Sequence, residues 1–121
     1  MARILIVEDD ESVREFTARA LAAPGRTIDT AEDGEEGLHL IAQAGGAYDL
    51  VLSDIRMPMM DGIAMAREAA SLYPGLKILL MTGFADQRER AGDLMSIIID
   101  VVPKPFALAT MRQAVASALA A

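Results

Sequence analysis

Short apolar runs alternate along this chain with stretches whose apolar residues recur every three or four positions. Continuous runs rich in Val, Ile and Leu are typical of strands buried on both faces, and the wider spacing is typical of amphipathic helices. The second run is short and polar, as expected for a strand at the edge of a sheet. The five predicted strands are Ile4–Val7, Thr27–Thr30, Leu50–Leu52, Lys77–Met81 and Ile97–Val102.

Helices are predicted between these strands, and Pro24-Gly25, Gly45-Gly46 and Pro74-Gly75 end the first three of them. A short or irregular fourth helix is expected over about Asp86–Leu94, a polar segment rich in Arg. The residues expected to face the sheet are Val13, Phe16, Ala20 and Leu21, then Gly34, Gly37, Leu38, Ile41 and Ala42, then Ile63, Ala66, Ala70 and Tyr73, and finally Leu108, Met111, Val115 and Leu119.

The alternation of strands and helices predicts an α/β fold in which a parallel sheet is covered by helices on both faces. A length of 121 residues suits one domain over residues 1–121. The content of 53% hydrophobic and 24% charged residues is sufficient for a packed core.

Composition also excludes several classes of function. The absence of cysteine excludes a disulfide scaffold and cysteine–zinc sites. A formal net charge of −7 argues against nucleic acid as a direct partner. No signal peptide is recognisable, and no apolar run approaches the ~18 residues of a membrane span. We therefore expect a cytoplasmic protein that binds neither nucleic acid nor membrane.

Polar residues follow four of the predicted strands: Glu8-Asp9, Asp54, Thr82 and Lys104. Each of them has an ordinary structural explanation by itself, such as a capping or turn residue. However, the carboxyl ends of parallel strands share one edge of a sheet, where open α/β folds place their chemistry. We therefore expect these side chains to meet in space and form a functional site.

Three acids in one place need a cation. Two carboxylates ~4 Å apart repel each other by roughly 4 kcal/mol at an effective dielectric constant near 20. Mg²⁺ binds through oxygen ligands and retained waters, so it suits such a cluster. Lys104 and the Thr82 hydroxyl can contact a phosphoryl group, and attack by the Asp54 carboxylate on a phosphoryl donor would give an acyl phosphate.

The whole chain resembles the CheY-like receiver domains of response regulators. The motifs that carry the resemblance are Val7-Glu8-Asp9-Asp10, Ser53-Asp54-Ile55-Arg56-Met57-Pro58, Met59-Met60-Asp61-Gly62, Met81-Thr82-Gly83 and Lys104-Pro105-Phe106. The resemblance implies a flavodoxin-like (βα)5 three-layer sandwich with a sheet of order 2-1-3-4-5.

The resemblance also assigns roles. Asp54 would be the phosphoacceptor, and Thr82 and Lys104 would bind the phosphoryl oxygens. Asp9, Asp54 and the Arg56 backbone carbonyl would ligate Mg²⁺, with Glu8 acting through a bound water. The Lys104-Pro105 peptide would be cis. Val101 stands where receivers often carry Tyr or Phe, which argues against the usual aromatic gating.

The expected protein is thus a single-domain response regulator of a two-component or phosphorelay system, not an enzyme beyond its own phosphorylation and dephosphorylation. Its donor would be a sensor histidine kinase or a histidine phosphotransfer protein. Its output would be a contact with another protein through the face formed by the fourth helix, fifth strand and fifth helix. The protein itself would be a monomer or weak dimer. The Thr82-Gly83-Phe84-Ala85 turn and the terminal Ala120-Ala121 are similar to CpdR-type bacterial receivers, which prime substrates for the ClpXP protease.

Three other readings stay open. An aspartate-dependent, Mg²⁺-requiring phosphohydrolase would want a second acid two residues beyond the nucleophile, where Arg56 stands. A flavodoxin-like cofactor binder would want a Ser/Thr-rich phosphate loop, whereas the Glu8–Glu11 acids would repel a phosphate. A receiver-like scaffold that is never phosphorylated is disfavoured because every active-site group is present.

Overall fold

A computed structural model describes residues 2–83, 97–104 and 107–120. Within these ranges strands and helices alternate as the sequence pattern predicts. The strands are β1 (Ala2–Val7), β2 (Arg26–Ala31), β3 (Leu50–Asp54), β4 (Ile78–Thr82) and β5 (Asp100–Pro103). The helices are α1 (Glu11–Leu21), α2 (Gly34–Gln43), α3 (Gly62–Leu72) and α4 (Leu108–Ala120). The helix predicted over about Asp86–Leu94 lies outside the described residues.

All strand pairs are parallel, and the order across the sheet is β2-β1-β3-β4-β5. This confirms the α/β fold class and the predicted strand order, with the polar β2 at one edge. In the register of the sheet, Val7 pairs with Ser53 and Asp54 pairs with Met81. The carboxyl ends of β1, β3 and β4 are therefore neighbours at one edge of the sheet.

The alternation of side chains along the strands divides the core into two layers. One layer packs β-strand residues such as Leu5, Val51 and Leu80 against α2 and α3. The other packs residues such as Ile6 and Leu52 against α1 and α4. The sheet is therefore buried on both faces, as its continuous apolar runs predict.

The loops that leave the carboxyl edge are tied to the helices that follow them. Asp10, Asp33 and Asp61 precede α1, α2 and α3, and each accepts a hydrogen bond from the backbone N–H three residues further on, at 2.8–3.0 Å. Such N-caps satisfy backbone donors that the first helical turn leaves unpaired. The start of each helix thus holds the preceding loop in place.

Two predictions about the buried helix faces are wrong. Phe16 is 51% exposed, and Ala42 is also exposed. In α1 the side chains that reach the core are those of Thr17, Ala20 and Leu21. Helical periodicity identifies a buried stripe, but the width and centre of that stripe depend on which neighbours cover the helix.

The start of the fifth strand also differs from its prediction. The apolar run suggests a strand from Ile97, but β5 begins at Asp100 and ends at Pro103. Pairing with β4 decides this boundary, because the ladder begins where Leu79 faces Asp100.

The helices within the described ranges are too short or too polar to span a bilayer.

Candidate functional site

Asp54 is the last residue of β3, a strand whose five residues are all buried. Its side chain retains 11% exposure at the carboxyl edge of the sheet. The loop after β3 folds back toward the end of that strand. There the backbone N–H of Gly62 donates a 2.7 Å hydrogen bond to the carbonyl oxygen of Ile55. A Cβ atom at position 62 would collide with the backbone carbonyl of Asp54. Glycine at that position therefore allows α3 to begin directly beside the acid.

The side chain of Lys104 reaches across the edge from the end of β5. Its Nζ atom lies 2.9 Å from Asp54 Oδ2 and 2.7 Å from Glu8 Oε1. The backbone N–H of Lys104 donates to the Thr82 carbonyl at 2.6 Å, and this bond holds the Lys104 backbone against the end of β4. Burial lowers the pKa of the Lys104 ammonium, but its hydrogen bonds to Glu8 and Asp54 and the charges of both outweigh burial and raise that pKa overall.

Glu8, Asp9 and Asp54 form an acidic cluster in which one carboxylate oxygen of each lies within 4.8 Å of the others. Glu8 is 1% exposed, whereas Asp9 is exposed. Desolvation, together with the hydrogen bond and the charge of Glu8, raises the pKa of Asp9. Three carboxylates thus face one ammonium, and the cluster carries an excess of negative charge.

The donor set of this cluster fits a hard divalent cation. It consists of carboxylate oxygens, the ligands that Mg²⁺ takes in proteins, and it contains neither histidine nor cysteine. Asp9 is open to solvent, so an ion bound there could keep several of its waters. The residues present therefore fit Mg²⁺, and an added positive charge would relieve the repulsion that Lys104 only partly offsets.

The other two predicted site residues lie nearby. Thr82 ends β4 and is 2% exposed, and it directly follows Met81, which pairs with Asp54 in the sheet. Arg56 lies in the loop directly after β3 and is exposed. The structure thus brings Glu8, Asp9, Asp54 and Lys104 into one group. The roles of Thr82 and of the Arg56 carbonyl stay predictions.

Besides the helix over Asp86–Leu94, three sequence expectations fall on residues outside the described ranges. They are the cis peptide to Pro105, the Thr82–Ala85 turn beyond Gly83, and the Ala121 terminus. The resemblance to CpdR-type receivers rests on the Thr82–Ala85 turn, the fourth helix and the Ala120-Ala121 terminus, so it also stays a prediction.

Sequence reasoning overlooked one residue at the site. Arg14 of α1 donates a 2.9 Å hydrogen bond from Nη1 to the carbonyl oxygen of Glu8. Its signal in the sequence was a single cation just after the run of acids from Glu8 to Glu11, near a helix start that favours negative charge.

Comparisons with known proteins show the family to which this chain belongs. Residues 4–116 match the family described as response regulator receiver domain. Response regulator MprA of Mycolicibacterium vanbaalenii is 41% identical over 106 residues, which are 88% of this chain and 45% of MprA. Sensor kinase CckA of Brucella abortus is 36% identical over 107 residues, 88% of this chain and 11% of the kinase. The chain thus spans less than half the length of these curated relatives.

A solved structure extends the similarity to the fold. Response regulator TrrA from Thermotoga maritima, solved in complex with Mg²⁺ and BeF, has a TM-score of 0.86 and 34% identity, and the match covers 98% of this chain and 99% of TrrA. The family match covers nearly all of the chain, and the acidic cluster and the lysine lie at the carboxyl edge of its sheet. The chain belongs to the response regulator receiver domain family.

Proposed function

We propose that residues 1–121 form a receiver domain in which Asp54 accepts a phosphoryl group from a phosphohistidine in a Mg²⁺-dependent reaction. The donor is a sensor histidine kinase or a histidine phosphotransfer protein. The observation that carries this proposal is the ammonium of Lys104, 2.9 Å from Asp54 Oδ2 and 2.7 Å from Glu8 Oε1. A cation so close to the carboxylate can also contact a phosphoryl oxygen carried by it.

In this reaction an oxygen of Asp54 forms a bond to phosphorus while the bond between phosphorus and the donor nitrogen breaks. The electron pair of the broken bond stays on the imidazole, and an acyl phosphate remains on Asp54. Glu8, Asp9, Asp54 and the Arg56 carbonyl would hold Mg²⁺, Glu8 through a water. When bound, the ion offsets the negative charge of the phosphoryl oxygens. Lys104 and the Thr82 hydroxyl would donate hydrogen bonds to these oxygens.

The phosphorylation state would then control a contact with another protein in the cytoplasm, through a surface that includes β5 and α4. A protease adaptor of the CpdR type is one form that such an output could take. The domain would act as a monomer or weak dimer, and would catalyse only its own phosphorylation and dephosphorylation.

The test is incubation with acetyl phosphate and Mg²⁺, followed by intact-mass measurement. We expect one phosphoryl adduct on the wild type and none on Asp54→Asn. Asp100→Asn is the matched control, because it changes an exposed aspartate at the start of β5 and should keep the adduct. No adduct on the wild type would support an unphosphorylated scaffold, and turnover of many equivalents of a phosphoester would support a phosphohydrolase. Either result would overturn the proposal.

A further inference from the structure

Arg14 occupies an unusual position for a cation. It is the fourth residue of α1, where the helix dipole favours negative charge, and its side chain is only 14% exposed. Holding a guanidinium there costs free energy unless specific partners compensate for the lost hydration. The partners of Arg14 therefore indicate what the residue does.

The firm contact of Arg14 is with backbone, not with an acid. Nη1 donates to the Glu8 carbonyl at 2.9 Å. Nη2 lies 4.0 Å from Glu32 Oε1, and the Glu32 side chain is 70% exposed. An exposed ion pair at that distance contributes little, so the hydrogen bond to Glu8 is the contact that fixes the guanidinium.

This hydrogen bond fixes the direction of a peptide unit within the acidic cluster. The Glu8 carbonyl and the Asp9 N–H belong to one peptide group, which is planar. The preceding N–H, that of Glu8, is bonded to the Ala31 carbonyl at 3.0 Å. The next N–H along the chain, that of Asp10, donates to Glu8 Oε2 at 3.3 Å. Arg14 thus holds the peptide group that joins Glu8 to Asp9, the two acids that this segment contributes to the cluster.

We propose that Arg14 is a positioning residue that orients the Glu8–Asp9 peptide, and with it the Asp9 carboxylate, for binding Mg²⁺. This inference rests on the proposed function, since it takes the acidic cluster as the Mg²⁺ site. Arg14 touches neither the metal nor the phosphoryl group; it acts through the backbone that carries two of the acids. Residues that orient metal ligands in this way typically change metal affinity about 10–100-fold when they are lost.

The direction in which the Mg²⁺ affinity changes distinguishes a positioning role of Arg14 from a purely electrostatic one. Arg14→Gln removes a cation next to three carboxylates, so Coulomb's law alone predicts tighter Mg²⁺ binding. Positioning predicts weaker binding, by about tenfold or more. Arg14→Lys keeps a donor that can reach the Glu8 carbonyl and should recover part of the affinity. Arg19→Gln is the matched control, because Arg19 lies on the same helix with an 83% exposed side chain that pairs only with Glu15 among the described contacts.

The measurement is urea unfolding of the full chain over a series of Mg²⁺ concentrations. The curve without Mg²⁺ gives the stability of each variant, and the increase with concentration gives its Mg²⁺ dissociation constant. We expect a constant about tenfold higher for Arg14→Gln, an intermediate value for Arg14→Lys, and an unchanged value for Arg19→Gln. A general loss of structure would lower the stability without Mg²⁺ but would leave the dissociation constant unchanged.

An Arg14→Gln variant that binds Mg²⁺ as tightly as the wild type, or more tightly, would overturn the positioning role while leaving the proposed function intact. A loss of affinity in Arg19→Gln equal to that in Arg14→Gln would overturn it too. A wild type whose stability does not respond to Mg²⁺ would overturn both the metal assignment and the role of Arg14.

Discussion

The ammonium of Lys104 lies 2.9 Å from a carboxylate oxygen of Asp54, a residue fifty positions earlier in the chain. The same ammonium contacts Glu8, ninety-six positions earlier, at 2.7 Å. These contacts exist because parallel strands deliver their carboxyl ends to one edge of the sheet. The lysine therefore serves as the cation of a cluster that otherwise contains only acids.

Replacing Lys104 with Gln should destabilise the protein most strongly without Mg²⁺. Two buried or nearly buried carboxylates would lose a charged hydrogen bond each, and such bonds contribute about 1.5–3 kcal/mol apiece. Because Lys104 retains 23% exposure, we expect a loss of about 2 kcal/mol in the free energy of unfolding. Saturating Mg²⁺ should reduce this loss, because the ion supplies the missing positive charge.

Urea unfolding of wild type and Lys104→Gln, with and without Mg²⁺, checks this expectation. Lys77→Gln is the control, since Lys77 contacts the Leu119 carbonyl at the opposite end of the sheet. Equal stability of wild type and Lys104→Gln without Mg²⁺ would contradict the stabilising role of the lysine.

Asp9→Asn should stabilise the protein at neutral pH in the absence of Mg²⁺. Desolvation and the neighbouring Glu8 raise the pKa of Asp9 above its ordinary value of 3.8. A raised folded-state pKa means that the contribution of Asp9 to stability is fully present below pH 3.8 and is lost as pH rises through the folded pKa. The ionised carboxylate therefore costs stability at neutral pH, by less than about 1 kcal/mol because it is exposed.

Denaturation of wild type and Asp9→Asn across pH tests this sign. The advantage of the variant should shrink as the pH falls toward 3.8 and should reverse in Mg²⁺, which stabilises only the intact site. Asp100→Asn, at the start of β5, should show neither trend. A variant that is less stable than the wild type at neutral pH without Mg²⁺ would disprove the repulsion.

Thr17→Val should make the protein more stable. Thr17 is 1% exposed, and its hydroxyl oxygen has no hydrogen-bond partner among the described residues. A buried polar group without a partner costs about 1–3 kcal/mol, and valine has nearly the same shape. We expect a gain of about 1 kcal/mol, measured as a higher urea midpoint. Thr110→Val, at an exposed position of α4, is the control and should change the stability little. If Thr17→Val is no more stable than the wild type, the Thr17 hydroxyl is not unpaired in the folded protein.

Met59→Asn should also stabilise the protein. Met59 has a φ of 68° and is 76% exposed, so its backbone is in the left-handed region without packing to compensate. That conformation costs an ordinary residue about 1–2 kcal/mol, and asparagine adopts it more readily. We expect a gain of about 0.5–1 kcal/mol in the free energy of unfolding.

Gly25→Ala tests the same backbone preference in the opposite direction. Gly25 has a φ of 80° and open space around an added Cβ, so Gly25→Ala changes the backbone preference alone. It should lose about 1 kcal/mol in the same urea experiment. If Met59→Asn and Gly25→Ala change stability in the same direction, backbone strain does not explain Met59.

Tyr48→Phe should destabilise the protein below pH 10 and progressively less above it. The Tyr48 hydroxyl donates to Asp29 Oδ2 at 2.7 Å, and burial together with this aspartate raises the pKa of Tyr48 to about 12. Since the folded pKa lies above the unfolded value of about 10, the contribution is complete below pH 10 and is lost between about 10 and 12.

We expect a loss of about 1–2 kcal/mol for Tyr48→Phe at neutral pH, as for a hydrogen bond to a charged acceptor. Urea unfolding of both proteins at increasing pH measures the difference. Tyr73→Phe, at the end of α3, is the control. A difference that stays constant as the pH rises past 10 would show that the phenol is not held neutral by Asp29.

The local pattern of apolar and polar residues was sufficient to predict most of the strands and helices. The runs at Ile4–Val7 and Leu50–Leu52 are buried strands, and β2 is an edge strand as its polarity predicts. The predictions that failed concern features that are set by packing between distant parts of the chain. Phe16 has the spacing of a core residue but is exposed, and Ile97–Ile99 has the composition of a strand but precedes β5.

By itself, the sequence determined the alternation of strands and helices, and it determined that acids, a threonine and a lysine follow the strands. These features depend on neighbouring residues, whose spacing and chemistry are visible in the chain. Tertiary structure alone decided that Lys104 bonds to both Glu8 and Asp54, and that Arg14 holds the Glu8 carbonyl. Such contacts require the distances between separate elements to be correct to within a few tenths of an ångström. Those distances are set by strand register and helix packing, to which every part of the core contributes.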